Sequence, residues 1–334
     1  MANALTIMAG WMNAALDGLE REGLDRAALT QGLRGFEGGE AARDSRVDVG
    51  SARRLWRRAG RMKPDPLLGL KVGGALPMQA SNVVSVLTAH SASVRQALEM
   101  LMRYQTLVSA SGRYRAAPEA GGLRLVYEPA ADPVEVSRLQ VESVLGTIAA
   151  RPSAFASGVR PRQIVLMAAG AAPARVYEDY LGLPVTFANQ AALLFTREAL
   201  DRPIRGADPR LLELNAAYAE GLLRDQRRSQ ALCDEVRAAI ARAGFASATT
   251  ADVAAELGLS SRSLQRRLTE AGVSFSKLRD EARMGEALIL LRRSQLPLPE
   301  LARRLGYSEE SAFSRAVRAW WGASPSQVRR DAPG

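Results

Sequence analysis

Ten side chains near the C-terminus have the types and the spacing to hydrogen-bond the edges of DNA bases. Arg262, Ser263, Gln265, Arg266 and Thr269 share the outward side of one segment with helical periodicity. Glu310, Ser311, Ser314, Arg315 and Arg318 do the same in a second segment further on. Arginine pairs bidentately with guanine and glutamine with adenine, an acidic side chain accepts from cytosine, and a hydroxyl suits either partner. Such side chains reach bases only when a helix carries them into the major groove, held by a tight turn against a second helix.

The elements that would position them are present twice. VAAELGLSSRSLQRRL starts at Val253 and LARRLGYSEESAFSRAV at Leu301. A shift of 48 places superposes Leu257 on Leu305, Gly258 on Gly306, Ser260 on Ser308 and Ser263 on Ser311. With one inserted residue, Leu264 meets Phe313, Arg266 meets Arg315 and Leu268 meets Val317. In the first unit Thr249 or Thr250 caps a helix over 251–257, Gly258 supplies the positive φ of the turn, and Ser260 caps a second helix over 261–270. Leu257, Leu259, Leu264 and Leu268 are its inward residues. In the second unit these are Leu301, Leu305, Tyr307, Phe313 and Val317, and Trp320 and Trp321 read as packing residues. Phe275–Arg293, periodic through Leu278, Ala282, Gly285, Leu288 and Ile289, reads as a helix of roughly 30 Å. That length is close to the roughly 34 Å turn of B-DNA, so such a rod lets both reading helices face one side of the duplex.

These residues resemble the DNA-binding domain of the AraC/XylS family of bacterial transcription regulators. The resemblance is carried by Gly306-Tyr307-Ser308, Phe313-Ser314-Arg315, Gly322-Ala323-Ser324-Pro325 and Arg329. It implies base contacts from Arg262, Gln265 and Arg266 in the first unit, and from Glu310, Ser311, Ser314 and Arg315 in the second. The acidic pair Glu309-Glu310 departs from the usual pattern. It repels phosphates, so the second unit is expected either to add less affinity or to accept a hydrogen bond from cytosine. DPLLGLKVG (Asp65–Gly73), Ala97-Leu98 with Arg103-Tyr104, RPRQIVLM (Arg160–Met167) and the Tyr180–Ile204 stretch are similar to the arabinose-binding-type effector domain of the branch that includes ornithine-utilisation regulators. This implies a domain that senses a ligand or a partner.

Composition narrows the remaining classes. The chain has 334 residues, enough for two or three domains, and a formal net charge of +10. Lys63, Lys71 and Lys277 are the only lysines among 45 basic residues, so part of that excess reflects arginine usage rather than a polyanionic partner. From Thr250 onward, however, charge density is about twice that of the preceding residues, which suits phosphate contacts there. Cys233 is the sole cysteine and His90 the sole histidine, so neither an intrachain disulfide nor a Cys/His zinc site is available. No Walker or Rossmann glycine loop is present. No catalytic, cofactor or metal site is expected. His90 reads as a capping or packed residue rather than a general base, and Cys233 as a residue on a helix face.

The expected fold class is an α+β effector domain over residues 1–228, followed by an all-α DNA-binding domain over 229–334. In the latter, two helix-turn-helix units at about 250–272 and 298–322 are joined by a linker helix. Leu5, Met8, Met12, Leu16 and Leu19 predict an amphipathic N-terminal helix, not a signal peptide, and the expected location is the cytoplasm, at the nucleoid. Further helices are expected over 93–109, opening on a Ser93/Gln96 capping box, and over 134–150, 174–181 and 208–226. Strands are expected over 123–127, 163–167, 185–187 and 193–195. The linker between the domains is placed at 227–230 or 244–249. Met78, Met100, Met102, Met167, Tyr104, Tyr127, Phe187 and Phe195 either line an apolar pocket or form core. The expected partners are double-stranded promoter DNA, a small-molecule effector, RNA polymerase and a second copy of the chain, with no membrane. The alternative is an N-terminal domain that only dimerises or binds a protein.

Overall fold

The computed structural model describes residues 5–36, 39–41, 45–76, 82–131, 134–150, 158–167 and 172–330. Contacts divide the described chain into two compact units that meet between Leu223 and Arg224.

The first unit opens with a two-stranded ribbon. β1 (Thr6–Met8) pairs antiparallel with β2 (Arg46–Asp48), Ile7 opposite Val47. The expected N-terminal helix therefore starts later, as α1 (Ala9–Arg21). Leu5 and Met8 precede it, whereas Met12, Leu16 and Leu19 are buried on its inner side. Helical spacing alone could not see the partner strand, which lies 40 residues on. α2 (Arg26–Thr30), α3 (Val49–Met62) and α4 (Leu68–Ala75) complete this part, capped by Asp25 and Asp48 at the starts of α2 and α3. Arg53 is buried and donates to the carbonyls of Val134 and Ala130 at 2.8 and 2.5 Å.

α5 (Val83–His90) and α6 (Val94–Val108) follow. Ser93 caps α6 by accepting from the Gln96 amide, but the Gln96 side chain accepts from the Ala92 amide and not from Ser93, so the expected capping box is displaced by one residue. His90 Nδ1 lies 3.1 Å from the Gly206 carbonyl, a packing contact at the end of α5. The sheet comprises β3 (Gly112–Glu119), β4 (Gly122–Pro129), β5 (Gln163–Met167), β6 (Val185–Ala188) and β7 (Ala191–Thr196). Its order is β3-β4-β7-β5-β6, antiparallel except for β5 with β6. α7 (Arg138–Ala149) begins four residues later than its pattern suggested. α8 (Ala174–Leu181) and α9 (Arg197–Asp201) flank the later strands.

Alternation along the strands sends Leu125, Tyr127, Ile164, Leu193 and Phe195 into the core with α6 and α7. Of the eight apolar side chains considered as pocket lining, Met78 lies outside the described residues. Tyr104 and Phe195 are core, and Met100, Met102, Met167 and Phe187 pack against it. Tyr127 alone among them borders the cavity discussed below. α4 and α7 cross so closely that a Cβ on Gly73 would sit 2.1 Å from the Ser143 carbonyl oxygen.

Glu142 is buried on α7, with Oε1 receiving the Arg138 guanidinium at 2.5 Å. Burial pushes its carboxyl from 4.5 up to about 7, while Arg138 pulls the other way. Between those pH values the folded chain keeps a proton that the unfolded chain has released, so this group's contribution to stability declines as pH rises through the window. Denaturant titrations from pH 5 to 8 are expected to show that decline in the native chain and a flatter profile in Glu142→Gln. A slope unchanged by the substitution would assign the effect elsewhere.

The second unit is all-α. α10 (Pro209–Ala243) runs from the first unit into it, so residues 227–230 are helix and not the expected linker. α11 (Thr250–Glu256), α12 (Ser261–Glu270), α13 (Phe275–Arg293), α14 (Leu298–Arg304), α15 (Glu310–Trp321) and α16 (Pro325–Arg330) follow. Val236, Ala239 and Ile240 of α10 share one core with Leu278 and Leu291 of α13 and with both helix pairs. Arg237, nearly buried, binds Glu281 at 2.7 Å and Asp234 at 2.8 Å, which ties α10 to α13. Cys233 lies in this core, where burial raises its thiol pKa, the opposite of what a reactive thiolate needs.

Candidate nucleic-acid interface

Local chemistry builds the first helix pair. Thr249 caps α11 in a reciprocal box with Asp252, whose amide it accepts at 3.2 Å. Gly258 turns the chain at φ +66°. Ser260 then caps α12 by accepting the Ser263 amide at 3.1 Å. Leu264 and Leu268 are buried, while Leu257 and Leu259 are half-buried against the same core.

Hydrogen bonds set the register between the two units. Leu257, Gly258 and Leu259 donate their amides to Val253, Ala255 and Ala254, and Leu305, Gly306 and Tyr307 donate theirs to Leu301, Arg303 and Ala302. That is the 48-residue offset. At the second helices, Leu264 donates to the cap residue Ser260 and Phe313 to the cap residue Glu309, an offset of 49. The inserted residue therefore lies within the turn, before α15, and not after Ser311. Ser263 corresponds to Ala312, and Ser311 corresponds to Arg262. Gln265, Arg266 and Thr269 correspond to Ser314, Arg315 and Arg318.

The candidate readers occupy the outer side of α12 and α15. Arg262, Gln265, Arg266, Thr269, Glu310, Ser311, Arg315 and Arg318 are exposed, and Ser263 and Ser314 are half-buried. On α12 two are committed locally. Ser263 Oγ accepts from Ser260 Oγ at 2.9 Å, and Thr269 Oγ1 donates to the Gln265 carbonyl at 2.9 Å. This leaves Arg262, Gln265 and Arg266 to project from α12. Arg266 approaches Glu270 at 3.8 Å with both side chains about 70% exposed, a weak restraint in water. Arg267, also exposed on α12, was not among the expected readers, because only its tertiary surroundings separate it from the buried Leu264–Leu268 side.

On α15, Glu309 is the cap residue and accepts from the Ser311 hydroxyl at 3.2 Å, and Glu310 stands in the first turn. Both carboxylates sit where the helix dipole favours negative charge, so the pair also stabilises α15. The second turn is held more tightly than the first. Arg283 of α13 donates to the Phe245 carbonyl at 2.8 Å and lies 5.3 Å above the Tyr307 ring. Gly306, at φ +77°, faces the neighbouring Ala246, whose amide nitrogen a Cβ would meet at 2.8 Å. Arg329 donates to the Leu296 carbonyl at 2.7 Å, and Trp320 and Trp321 pack edge to face, so these residues serve the domain core. Among the described residues, no group of His, Cys, Asp and Glu could hold a metal, and no helix is long and apolar enough to cross a membrane.

Two family models match separate parts of the chain. Residues 23–204 match the family described as the arabinose-binding domain of AraC transcription regulators, and residues 253–331 match a helix-turn-helix domain family. The ornithine utilization regulator of Pseudomonas aeruginosa is 26% identical over 323 residues, covering 96% of this chain and 95% of its own. An uncharacterised HTH-type transcriptional regulator of Mycobacterium tuberculosis is 28% identical over 289 residues, covering 85% and 83%. The crystal structure of the regulator CdpR from P. aeruginosa superposes with a TM-score of 0.42 at 23% identity, covering 84% of this chain and 91% of that one.

Proposed function

The chain belongs to the AraC family of transcription regulators, and from that premise we propose that it reads two adjacent major-groove segments of promoter DNA under the control of a small-molecule effector held by residues 5–223. It is a DNA-binding regulator with a mixed α/β N-terminal domain and a helical C-terminal domain. The observation that carries the two-segment reading is the repetition itself. Two helix pairs with matched turns present polar outer faces, and a 19-residue helix lies between them. At 1.5 Å per residue that helix is about 28 Å long, close to one turn of B-DNA. The regulator acts in the cytoplasm, at the nucleoid, as a dimer contacting RNA polymerase.

Mapping the bound sites across the genome, followed by footprinting of one of them, tests this reading. Two protected segments about one helical turn apart are expected on one face of the duplex, and a single protected segment would refute the two-unit reading. Arg292 and Arg293, exposed at the end of α13, are assigned to phosphate. Arg292→Ala should weaken specific and non-specific DNA alike and lower the slope of log K against log salt by about 1. A loss confined to one base pair would instead make it a base reader.

A further inference from the structure

Within the first unit, α5, α6, α7, β3 and β4 line a cavity of about 100 Å³ that is open on one side. Its deep residues include Tyr114, Tyr127 and Ile148, all buried, whereas Trp11, Asn82 and Ser85 are half-buried and form its outer part. Two properties of the lining restrict what can occupy it. Among the described residues that line it there is no Asp, Glu, Lys, Arg or His. A charged ligand would therefore lose its water without gaining a counter-ion from these residues, a cost that binding does not recover.

The second property is the hydrogen-bonding capacity left in the wall. Gln105 is spent, since it accepts from the Tyr114 amide at 2.6 Å and donates to the carbonyls of Met102 and Tyr114. The Tyr114 and Thr147 hydroxyls both donate to the Val144 carbonyl, and Thr88 donates to that of Ser85. Ser109, Ser111 and Tyr127 differ. Their hydroxyls form a chain with separations of 2.8 and 3.1 Å. Three hydroxyl protons fill two such bonds, so among the described residues one proton remains, on Ser109, Ser111 or Tyr127 according to the donor order, for an acceptor inside the cavity.

On the reading that this domain senses a small molecule, we propose that its effector is a neutral, mainly apolar molecule of about one six-membered ring that carries a single acceptor oxygen. The apolar body fills the space between Leu101, Val108, Val144 and Ile148, and the oxygen accepts the spare hydroxyl proton. The volume sets an upper limit: a dry apolar cavity of roughly 150 Å³ holds a benzene, so one of about 100 Å³ takes a single ring at most, with the outer edge of the ring left at the open side.

The test uses the full chain, with cyclohexanone and benzyl alcohol as neutral probes and benzoate and benzylammonium as charged counterparts. The neutral pair should raise the melting temperature by about 2–4 °C at saturation, the shift given by about 1 kcal/mol in a domain of this size. The charged pair should leave it unchanged. Val144→Phe fills the cavity and should abolish the shift while retaining the circular dichroism of the native chain. Val108→Phe serves the same purpose if the first variant does not fold. Silence from the neutral pair, equal shifts from the charged pair, or shifts that persist in the filled variants each overturn the proposal. Promoter affinity measured with the same probes judges the broader reading separately. Neutral probes that bind in the cavity without changing DNA affinity leave this site standing and remove the effector role.

Discussion

Arg266→Ala is expected to weaken binding to the specific promoter site by about 1–3 kcal/mol, between roughly fivefold and 150-fold, and to blur the preference at one base pair. The side chain projects from α12, about 70% exposed, and among the described residues only Glu270 at 3.8 Å shares its charge. An exposed pair at that distance is worth little, so Arg266 can leave it for a guanine edge without a large penalty. Gel-shift titrations of the mapped site and its single-base variants make the measurement. A loss spread evenly over all variants would place Arg266 on phosphate, and an unchanged footprint would remove it from the interface. Arg266→Lys separates the two further, because lysine retains the charge but not the bidentate fork.

Gly306→Ala should destabilise the helical domain by about 3 kcal/mol, and Gly258→Ala by about 1–2 kcal/mol. Both glycines sit at positive φ, which accounts for the shared part of the cost. They differ in their surroundings. An added Cβ at Gly258 meets nothing within 4 Å, whereas at Gly306 it meets the Ala246 backbone at 2.8 Å. That backbone cannot easily retreat, since Arg283 holds the adjacent Phe245 carbonyl and stacks on Tyr307 at the same turn. Urea titrations of the two variants decide the point. Equal losses would mean that the turn conformation, and not the approach of Ala246, sets the requirement for glycine.

The helical domain was legible in the sequence to within a residue at several places. Thr249, Ser260 and Gly258 perform the capping and turning roles that their types suggested, and α12 and α13 have the expected bounds. Caps and turns are settled by atoms within four residues, so the chain carries that information locally. The inserted residue was legible only as a mismatch. Side-chain similarity placed it after Ser311, whereas backbone hydrogen bonding places it in the turn, because Glu309 takes the capping position. The N-terminal strand and the unbroken helix through 227–230 were hidden for a different reason. β1 depends on β2, 40 residues away, and Arg237 in α10 depends on Glu281, 44 residues away.

By itself the sequence determined the doubled helix-turn-helix pattern and pointed to α12 as the stronger candidate reader. Residue type and periodicity suffice for caps, for buried stripes and for the polar face left over. The tertiary structure decided why Gly306 has no room for a side chain, and that the cavity among Tyr114, Tyr127 and Ile148 has no charged residue among the described ones that line it. Each of these is a meeting of groups far apart in the chain, and such meetings are set by packing rather than by local propensity.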